Sequence, residues 1–325
     1  MDSFLALAGQ NLLTPMTLSF ALGAAAALAR SDLSVPEAAA KTMELYLLFA
    51  IGFKGGVEVS KYGLDANVAA ALVAGIALSF LLPFVAYALL RLMSHLSPTE
   101  AAAVSAHYGS ISIVTFASAT AALSQLGIEA EGYMVAVSAA MESPAIMSAL
   151  WLANRGGGTS QMDSRLWREI VLNGSIVLLI GSFLIGLATG PAGLAKIDAF
   201  IVAPWQGVLC LFLLDMGLVA GRGLRAAPGL ISPPLLAFGI VMPLIGAAAG
   251  LAVALLLGLS VGGATLMMVL AASASYIAVP AAMRVALPDA NPSIALTLSL
   301  GVTFPFNLTL GIPTYLAVAQ RVIGG

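Results

Sequence analysis

Small and hydroxyl-bearing residues interrupt two apolar stretches of the chain, at residues 106–115 and 272–280. Each stretch places Gly, Ser, Thr or Pro where an ordinary membrane helix carries Leu and Val. A helix that restarts after such a break presents unpaired N–H groups and a partial positive charge, which suits an anion. Hydroxyl and carbonyl oxygens at the same place suit a hard cation such as Na⁺. The two stretches therefore predict a site for a small anion with a sodium ion beside it.

The residue types within these stretches have distinct uses. Gly109 lets the backbone turn and approach a ligand closely, and Pro280 suits the first turn of a resumed helix. Small residues also favour close helix packing in membranes. For any single hydroxyl residue, helix packing and ligand binding are equally good explanations. Two clusters of hydroxyls favour binding, whereas His107 fits helix packing and a functional role equally well. The hydroxyls are those of Ser110, Ser112, Thr115, Ser273 and Ser275.

A carboxylate lies within a predicted span of the first half. Glu142 directly precedes a Ser-Pro pair, and an ionisable group costs about 2.5–3.5 kcal/mol at a helix centre. The matching stretch of the second half carries Thr303 and Pro305, with Asn307 two residues further on. We therefore expect both helices to open here, so that freed carbonyls could coordinate a cation.

Composition excludes most other classes of protein. Sixty per cent of the 325 residues are hydrophobic and nine per cent are charged, as in an integral membrane protein. The net charge of −2 gives no basic surface for nucleic acid. Two histidines and one cysteine form no metal-ligand or nucleophile motif, and no organic-cofactor motif occurs. The chain is therefore not expected to be an enzyme.

Ten apolar segments are long enough to cross a bilayer, which takes about 20 residues per helix. The predicted fold is an all-α integral membrane protein with ten transmembrane helices, of which the two interruptions break the fourth and the ninth. The predicted segments are 4–30, 36–60, 66–91, 99–124, 131–154, 167–190, 198–220, 233–258, 262–286 and 292–320.

Basic residues predict the orientation, because cytoplasmic loops are enriched in Lys and Arg. With the N-terminus outside, Lys61, Lys196 and Arg321 lie on the outer side, and a larger set lies at cytoplasmic ends. We therefore expect both termini to lie outside. The expected location is a bacterial inner membrane. The cytoplasmic set is Arg30, Lys41, Arg91, Arg155, Arg165, Arg168, Arg222, Arg225 and Arg284.

The two halves of the chain resemble each other. Leu48–Gly52 matches Leu213–Gly217 at an offset of 165 residues, and other matches follow at similar offsets. Five helices per half invert the second copy, and many transporters with such repeats hold their ligands between broken helices at the midplane. The predicted organisation is a first repeat over 1–154, a cytoplasmic linker over 155–165 and a second repeat over 166–325.

Five motifs are typical of one known family: Ile51–Gly56, Gly109 with Ser112 and Thr115, Ser273 with Ser275, Pro280 with Arg284, and Ala290–Ser293, the last two being the most specific. Through them the chain resembles the sodium-dependent bicarbonate transporter family over nearly its whole length. The resemblance implies a mobile core of helices 3–5 and 8–10, a gate of helices 1, 2, 6 and 7, and a homotrimer.

The resemblance also implies roles for single residues, with bicarbonate held between the broken helices and sodium beside it. The implied bicarbonate contacts are Gly109, Ser110, Ile111, Ser112, Ala278 and Val279. The implied sodium ligands are Thr115, Ser273, Ser275 and Thr303, with Glu142, Tyr276 and Asn307 in support.

Two features depart from the family pattern. Tyr276 stands where other members carry an acidic residue, which alters the charge expected at the cation site. The linker at 155–165 is shorter than the family's cytoplasmic loop, so binding of the family's soluble regulatory partner is not carried over.

The expected function is sodium-coupled import of a small anion, bicarbonate first, by elevator-type alternating access. Moving a monovalent anion against an inside-negative potential costs about 2.3 kcal/mol per 100 mV, which one accompanying Na⁺ cancels. A cation/proton antiporter shares the ten-helix plan but needs a titratable carboxylate at the crossing, for which Glu142 is the candidate. A sensor that binds an anion without translocating it fits the same site.

Overall fold

The computed structural model of the chain describes residues 13–62, 66–155, 172, 174–226, 232–287 and 289–324. Regular secondary structure in these ranges is helical throughout, as expected for a chain that must satisfy its own backbone in lipid. The predicted linker lies outside the described residues after Arg155, as do the beginnings of the first and sixth predicted segments.

The helices of the first half follow the predicted segments closely. They are α1 (Pro15–Leu28), α2 (Glu37–Tyr62), α3 (Ala66–Met93), α4 (Pro98–Gly109), α5 (Ile113–Gln125), α6 (Met134–Ala140) and α7 (Pro144–Arg155) within the described ranges. The fourth predicted segment is thus divided into α4 and α5 at residues 110–112, and the fifth into α6 and α7 at residues 141–143.

The second half shows the same division of its fourth segment. Its described helices are α8 (Gly174–Leu194), α9 (Asp198–Ile201), α10 (Trp205–Ala226), α11 (Pro233–Leu257), α12 (Val261–Ala272), α13 (Ala278–Ala286), α14 (Pro292–Leu298), α15 (Phe304–Phe306) and α16 (Ile312–Ile323). The second interruption therefore lies between α12 and α13, at residues 273–277.

The last predicted segment does not open at Pro305, contrary to expectation. It stays helical from Pro292 to Ile323 through two π-helical turns, Ser299–Thr303 and Asn307–Gly311. Proline lacks an N–H and its ring clashes with the carbonyl four residues before it. Wider turns on either side keep the helix continuous around Pro305, so of these two matching segments the fifth opens and the tenth does not.

Six helical regions of the described chain are long and apolar enough to cross a membrane. The other four predicted segments are not among them. The first begins outside the described residues and its described helix α1 has 14 residues, α2 carries several charges, and interruptions divide the fourth and ninth. Ten crossings therefore remain a prediction. The six regions are Ala66–Met93, Met134–Ala153, Ile176–Leu194, Asp198–Arg225, Pro233–Leu257 and Pro292–Ile323.

Glycines bring helices from the two halves of the chain into backbone contact. A Cβ at Gly217 of α10 would lie 2.1 Å from Phe20 O of α1. A Cβ at Gly56 of α2 would lie 1.9 Å from Phe183 O of α8. Small residues permit such close approach between helices in membranes. The first half thus packs on the second through two helix pairs, α1 with α10 and α2 with α8. In each pair, a helix from the first predicted segment of one half contacts a helix from the second predicted segment of the other half.

Two glycines of α8 offer a matched test of this packing. A Cβ at Gly186 would lie 2.1 Å from Phe53 O, whereas one at Gly181 meets nothing within 4 Å. We expect Gly186→Ala to lower the melting temperature or prevent assembly. Gly181→Ala should be neutral or stabilising by up to about 1 kcal/mol, because alanine favours helix. Thermal unfolding of both purified variants in detergent checks the contrast, and equal melting temperatures would contradict it.

Candidate functional site

The first interruption is an extended segment between two helix ends. α4 ends at Gly109, and the backbone is extended at Ser110 and Ser112 before α5 begins. Ser112 Oγ accepts a hydrogen bond from Thr115 N at 3.2 Å and so caps α5, as small hydroxyl residues do at helix N-termini. The N-terminus of α5 therefore lies directly beside the extended segment of the first interruption.

The second interruption has a similar beginning. α12 ends at Ala272, and Ser273 is extended, with its Oγ donating to Leu270 O at 2.9 Å. The freed carbonyl of Ala272 accepts from Asn307 Nδ2 at 2.9 Å. Asn307 thus satisfies a backbone group at the end of α12, while its Oδ1 accepts from Tyr315 Oη at 2.9 Å.

The structure brings the two interruptions together. Ser112 N donates to Ser273 Oγ at 2.9 Å, and Ser275 N donates to His107 O at 2.8 Å. His107 Nδ1 lies 2.6 Å from Ser275 O. Backbone groups that each broken helix leaves unpaired are therefore satisfied by the other, as buried polar groups require. His107, which the sequence left open between two roles, joins the interruptions.

The break in the fifth segment meets the same point. Ser110 Oγ donates to the carbonyl of Glu142 at 2.8 Å, in the turn between α6 and α7. Both Ser110 and Glu142 are buried, with 1 % and 6 % of their surfaces exposed. Three irregular segments thus converge, and Glu142 is placed where the broken helices cross.

A small cavity lies at this convergence. Its volume is about 10 Å³, roughly the space that one water molecule or a bare ion needs. It is bounded by the N-terminal end of α5, the segment leading into α13 and the turn before α7. The lining residues are Ile111, Ser112, Ile113, Glu142, Ser275, Tyr276 and Ile277.

Two polar side chains of the lining have no protein partner in the described chain. Neither a hydrogen bond nor an ion pair to the Glu142 carboxylate is found there. Tyr276 Oη is buried and has no hydrogen-bond partner among the described residues, although the Ser112 side chain is close enough to interact with it. A buried polar group normally has a partner. A carboxylate, a phenol and hydroxyl oxygens around an ion-sized space are the donor set of a hard-cation site.

A second carboxylate lies near the lining. Glu44 of α2 is buried, accepts from Lys41 Nζ at 2.8 Å, and is close enough to Glu142 and Tyr276 to interact with them electrostatically. Sequence reasoning did not assign Glu44 to the site. The available signal was a charge within an apolar segment, which is costly unless it has a use.

Several residues predicted for the anion lie at or beside the cavity. Ile111 and Ser112 line it, and Ser110 supports it through Glu142. Gly109 packs instead against Pro83, whose Cγ would lie 2.3 Å from a Cβ at this position. Val279 is fully buried in a cluster with Ala102 and Ile146, and the side chain of Ala278 lies outside the described part of the structure.

Residues predicted for sodium are divided between two places. Ser275 lines the cavity, while Thr115 Oγ1 donates to Ser112 Oγ at 2.9 Å and Ser273 joins the two interruptions. Thr303 lies apart, where its Oγ1 donates to Gly239 O at 2.7 Å and accepts from Tyr108 Oη at 2.7 Å. Of the residues predicted as sodium ligands or in their support, Ser275, Glu142 and Tyr276 therefore line the cavity.

Comparison with known families gives a match over nearly the whole chain. A model of the Na⁺-dependent bicarbonate transporter superfamily matches residues 15–320, nearly the whole chain. No curated protein matches the chain. The matched span includes both interruptions, the turn at Glu142 and every residue that lines the cavity. This multi-pass membrane chain therefore belongs to the Na⁺-dependent bicarbonate transporter superfamily, a family of transporters and not of enzymes.

Proposed function

We propose that the chain imports bicarbonate together with Na⁺, and that the cavity at the crossing couples the two. The observation that carries the proposal is Glu142, a buried carboxylate without a partner among the described residues, beside two helix N-termini. Those N-termini attract an anion through their N–H groups and partial positive charge. The family supports bicarbonate as the anion and sodium as the coupling ion.

The charge of Glu142 gives a reason for coupling. Two like charges about 4 Å apart repel by about 4 kcal/mol at an effective dielectric constant near 20. An anion at the N-termini of α5 and α13 is therefore disfavoured while Glu142 is ionised and alone. A sodium ion held by Glu142, Ser275 and Tyr276 neutralises that charge, so the anion binds well only after sodium.

The transport cycle that fits this site is alternating access of elevator type. In it, a core of segments 3–5 and 8–10 carries the ions past a gate of segments 1, 2, 6 and 7. Support comes from the contacts of α1 with α10 and of α2 with α8, in which both halves use corresponding helices. An inverted repeat would produce such contacts. A homotrimer and a bacterial inner-membrane location with both termini outside complete the proposal.

Tyr276→Phe tests the cation site without removing a charge. The hydroxyl forms no hydrogen bond, so its loss should leave the melting temperature without Na⁺ unchanged or higher. If Tyr276 Oη is a sodium ligand, the concentration of Na⁺ that half-maximally stabilises the variant should rise by about tenfold or less. Thermal unfolding across a NaCl series, with choline chloride as control, measures both. Native sodium stabilisation in the variant would contradict the assignment.

Transport in reconstituted vesicles tests the function as a whole. We expect an inward Na⁺ gradient, but not a K⁺ gradient, to drive uptake of labelled bicarbonate in preference to other small anions. Proton release on a sodium pulse without bicarbonate would instead indicate a cation/proton antiporter. Sodium-dependent binding without uptake would indicate a sensor.

A further inference from the structure

His107 joins the two interruptions through a reciprocal pair of hydrogen bonds. Its carbonyl accepts from Ser275 N at 2.8 Å, and its Nδ1 lies 2.6 Å from Ser275 O. A carbonyl oxygen can only accept, so His107 Nδ1 carries the proton and donates. The side chain is buried, with 2 % of its surface exposed, and does not line the cavity.

This pairing decides how the second interruption meets the cavity. Both backbone groups of Ser275 are used by His107, which leaves the Ser275 hydroxyl as its polar group toward the cavity. Tyr276 is the next residue, so the same pair of bonds fixes where its ring begins. The ring then packs edge-on against Phe304, with centroids 5.7 Å apart.

We propose that His107 is a positioning residue that holds Ser275 and Tyr276 in place for sodium. It acts through the Nδ1 hydrogen bond and touches neither ion. The inference rests on the sodium-coupled transport proposed above. Without the Nδ1 donor, the buried carbonyl of Ser275 is unpaired and its segment shifts, so sodium affinity should fall about tenfold.

Two substitutions of His107 by an amide residue distinguish a donor at the Nδ1 position from a donor elsewhere on the ring. In His107→Asn the amide nitrogen is attached to Cγ, as Nδ1 is, and can donate to Ser275 O. In His107→Gln the amide lies one bond further out, near the position of Nε2. Sodium-dependent stabilisation of the purified protein, which needs no bicarbonate, gives the affinity, and uptake gives the maximal rate. We expect His107→Asn to bind Na⁺ within about threefold of native affinity and His107→Gln about tenfold more weakly.

Ser148→Ala is the matched control for loss of a buried donor. Ser148 Oγ donates to Phe80 O at 2.6 Å, between α7 and α3, and Ser148 does not line the cavity. The proposal is overturned if Ser148→Ala weakens sodium binding as much as His107→Gln, or if the Asn and Gln variants are equally affected. Should the Gln variant not fold, near-native sodium binding by the Asn variant supports the proposal and a tenfold loss overturns it. A native protein with no sodium response would overturn the proposed function itself.

Discussion

Glu142→Gln is expected to uncouple bicarbonate binding from sodium. The substitution keeps the size of the side chain and removes the buried charge that repels the anion and attracts the cation. In the native protein, saturating Na⁺ should raise the affinity for bicarbonate at least about tenfold, within the usual range of coupling between two sites. In the variant the sodium-induced gain should fall below about threefold, while sodium affinity itself drops by about a hundredfold or more. Equilibrium binding of labelled bicarbonate at zero and saturating Na⁺ measures this gain.

Glu58→Gln provides a matched loss of one carboxylate. Glu58 lies on α2, is half exposed, and forms an ion pair with Lys61 at 2.7 Å. It does not line the cavity, and exposed ion pairs contribute little stability. We expect this variant to keep the native sodium-induced gain. Equal gains in the Glu142 and Glu58 variants would show that Glu142 does not couple the ions.

Ser275→Leu is expected to abolish sodium-dependent uptake while the protein still assembles. Ser275 lines a cavity of about 10 Å³, and a leucine side chain fills that space and removes a hydroxyl. Ser275 is the better choice than Ser112, whose Oγ also caps α5 by accepting from Thr115 N. Overpacking costs about 1–3 kcal/mol in a well-packed core, so the melting temperature should fall modestly. Uptake of labelled bicarbonate and gel filtration in detergent are measured together.

Two further variants separate cavity filling from other causes. Ser275→Ala removes the hydroxyl alone and should retain uptake with a higher sodium requirement, by about tenfold or less. Ser124→Leu adds the same side chain at an exposed position near the end of α5 and should transport normally. Native uptake by Ser275→Leu would show that the cavity is not on the transport path.

The positions of the helices could be predicted because apolar length and breaker residues determine them locally. Both interruptions lie in the structure where Gly109, Ser112, Ser273 and Ser275 predicted them. Pro305 shows the limit of that reasoning. A proline usually breaks a helix, yet two π-helical turns keep this one continuous, and the outcome depends on packing that local pattern does not reveal.

The partners of the site residues could not be read from the sequence. The family resemblance grouped Thr303 with Ser275 as sodium ligands, whereas the fold directs Thr303 toward Tyr108 and Gly239. Gly109 suggested an approach to a ligand, but its missing side chain makes room for Pro83. Which donor meets which acceptor depends on the crossing of segments far apart in the chain. For that reason the role of His107 appeared only in three dimensions.

The central claim is that sodium must be bound before the anion binds tightly, because the sodium site at Glu142 lies beside the helix N-termini that attract the anion. Binding of labelled bicarbonate to the purified native protein, with Na⁺ replaced stepwise by choline at constant ionic strength, tests it most directly. The account predicts that bicarbonate affinity rises at least about tenfold as Na⁺ saturates, and that bicarbonate raises sodium affinity by the same factor. Bicarbonate affinity that is independent of Na⁺ would contradict it.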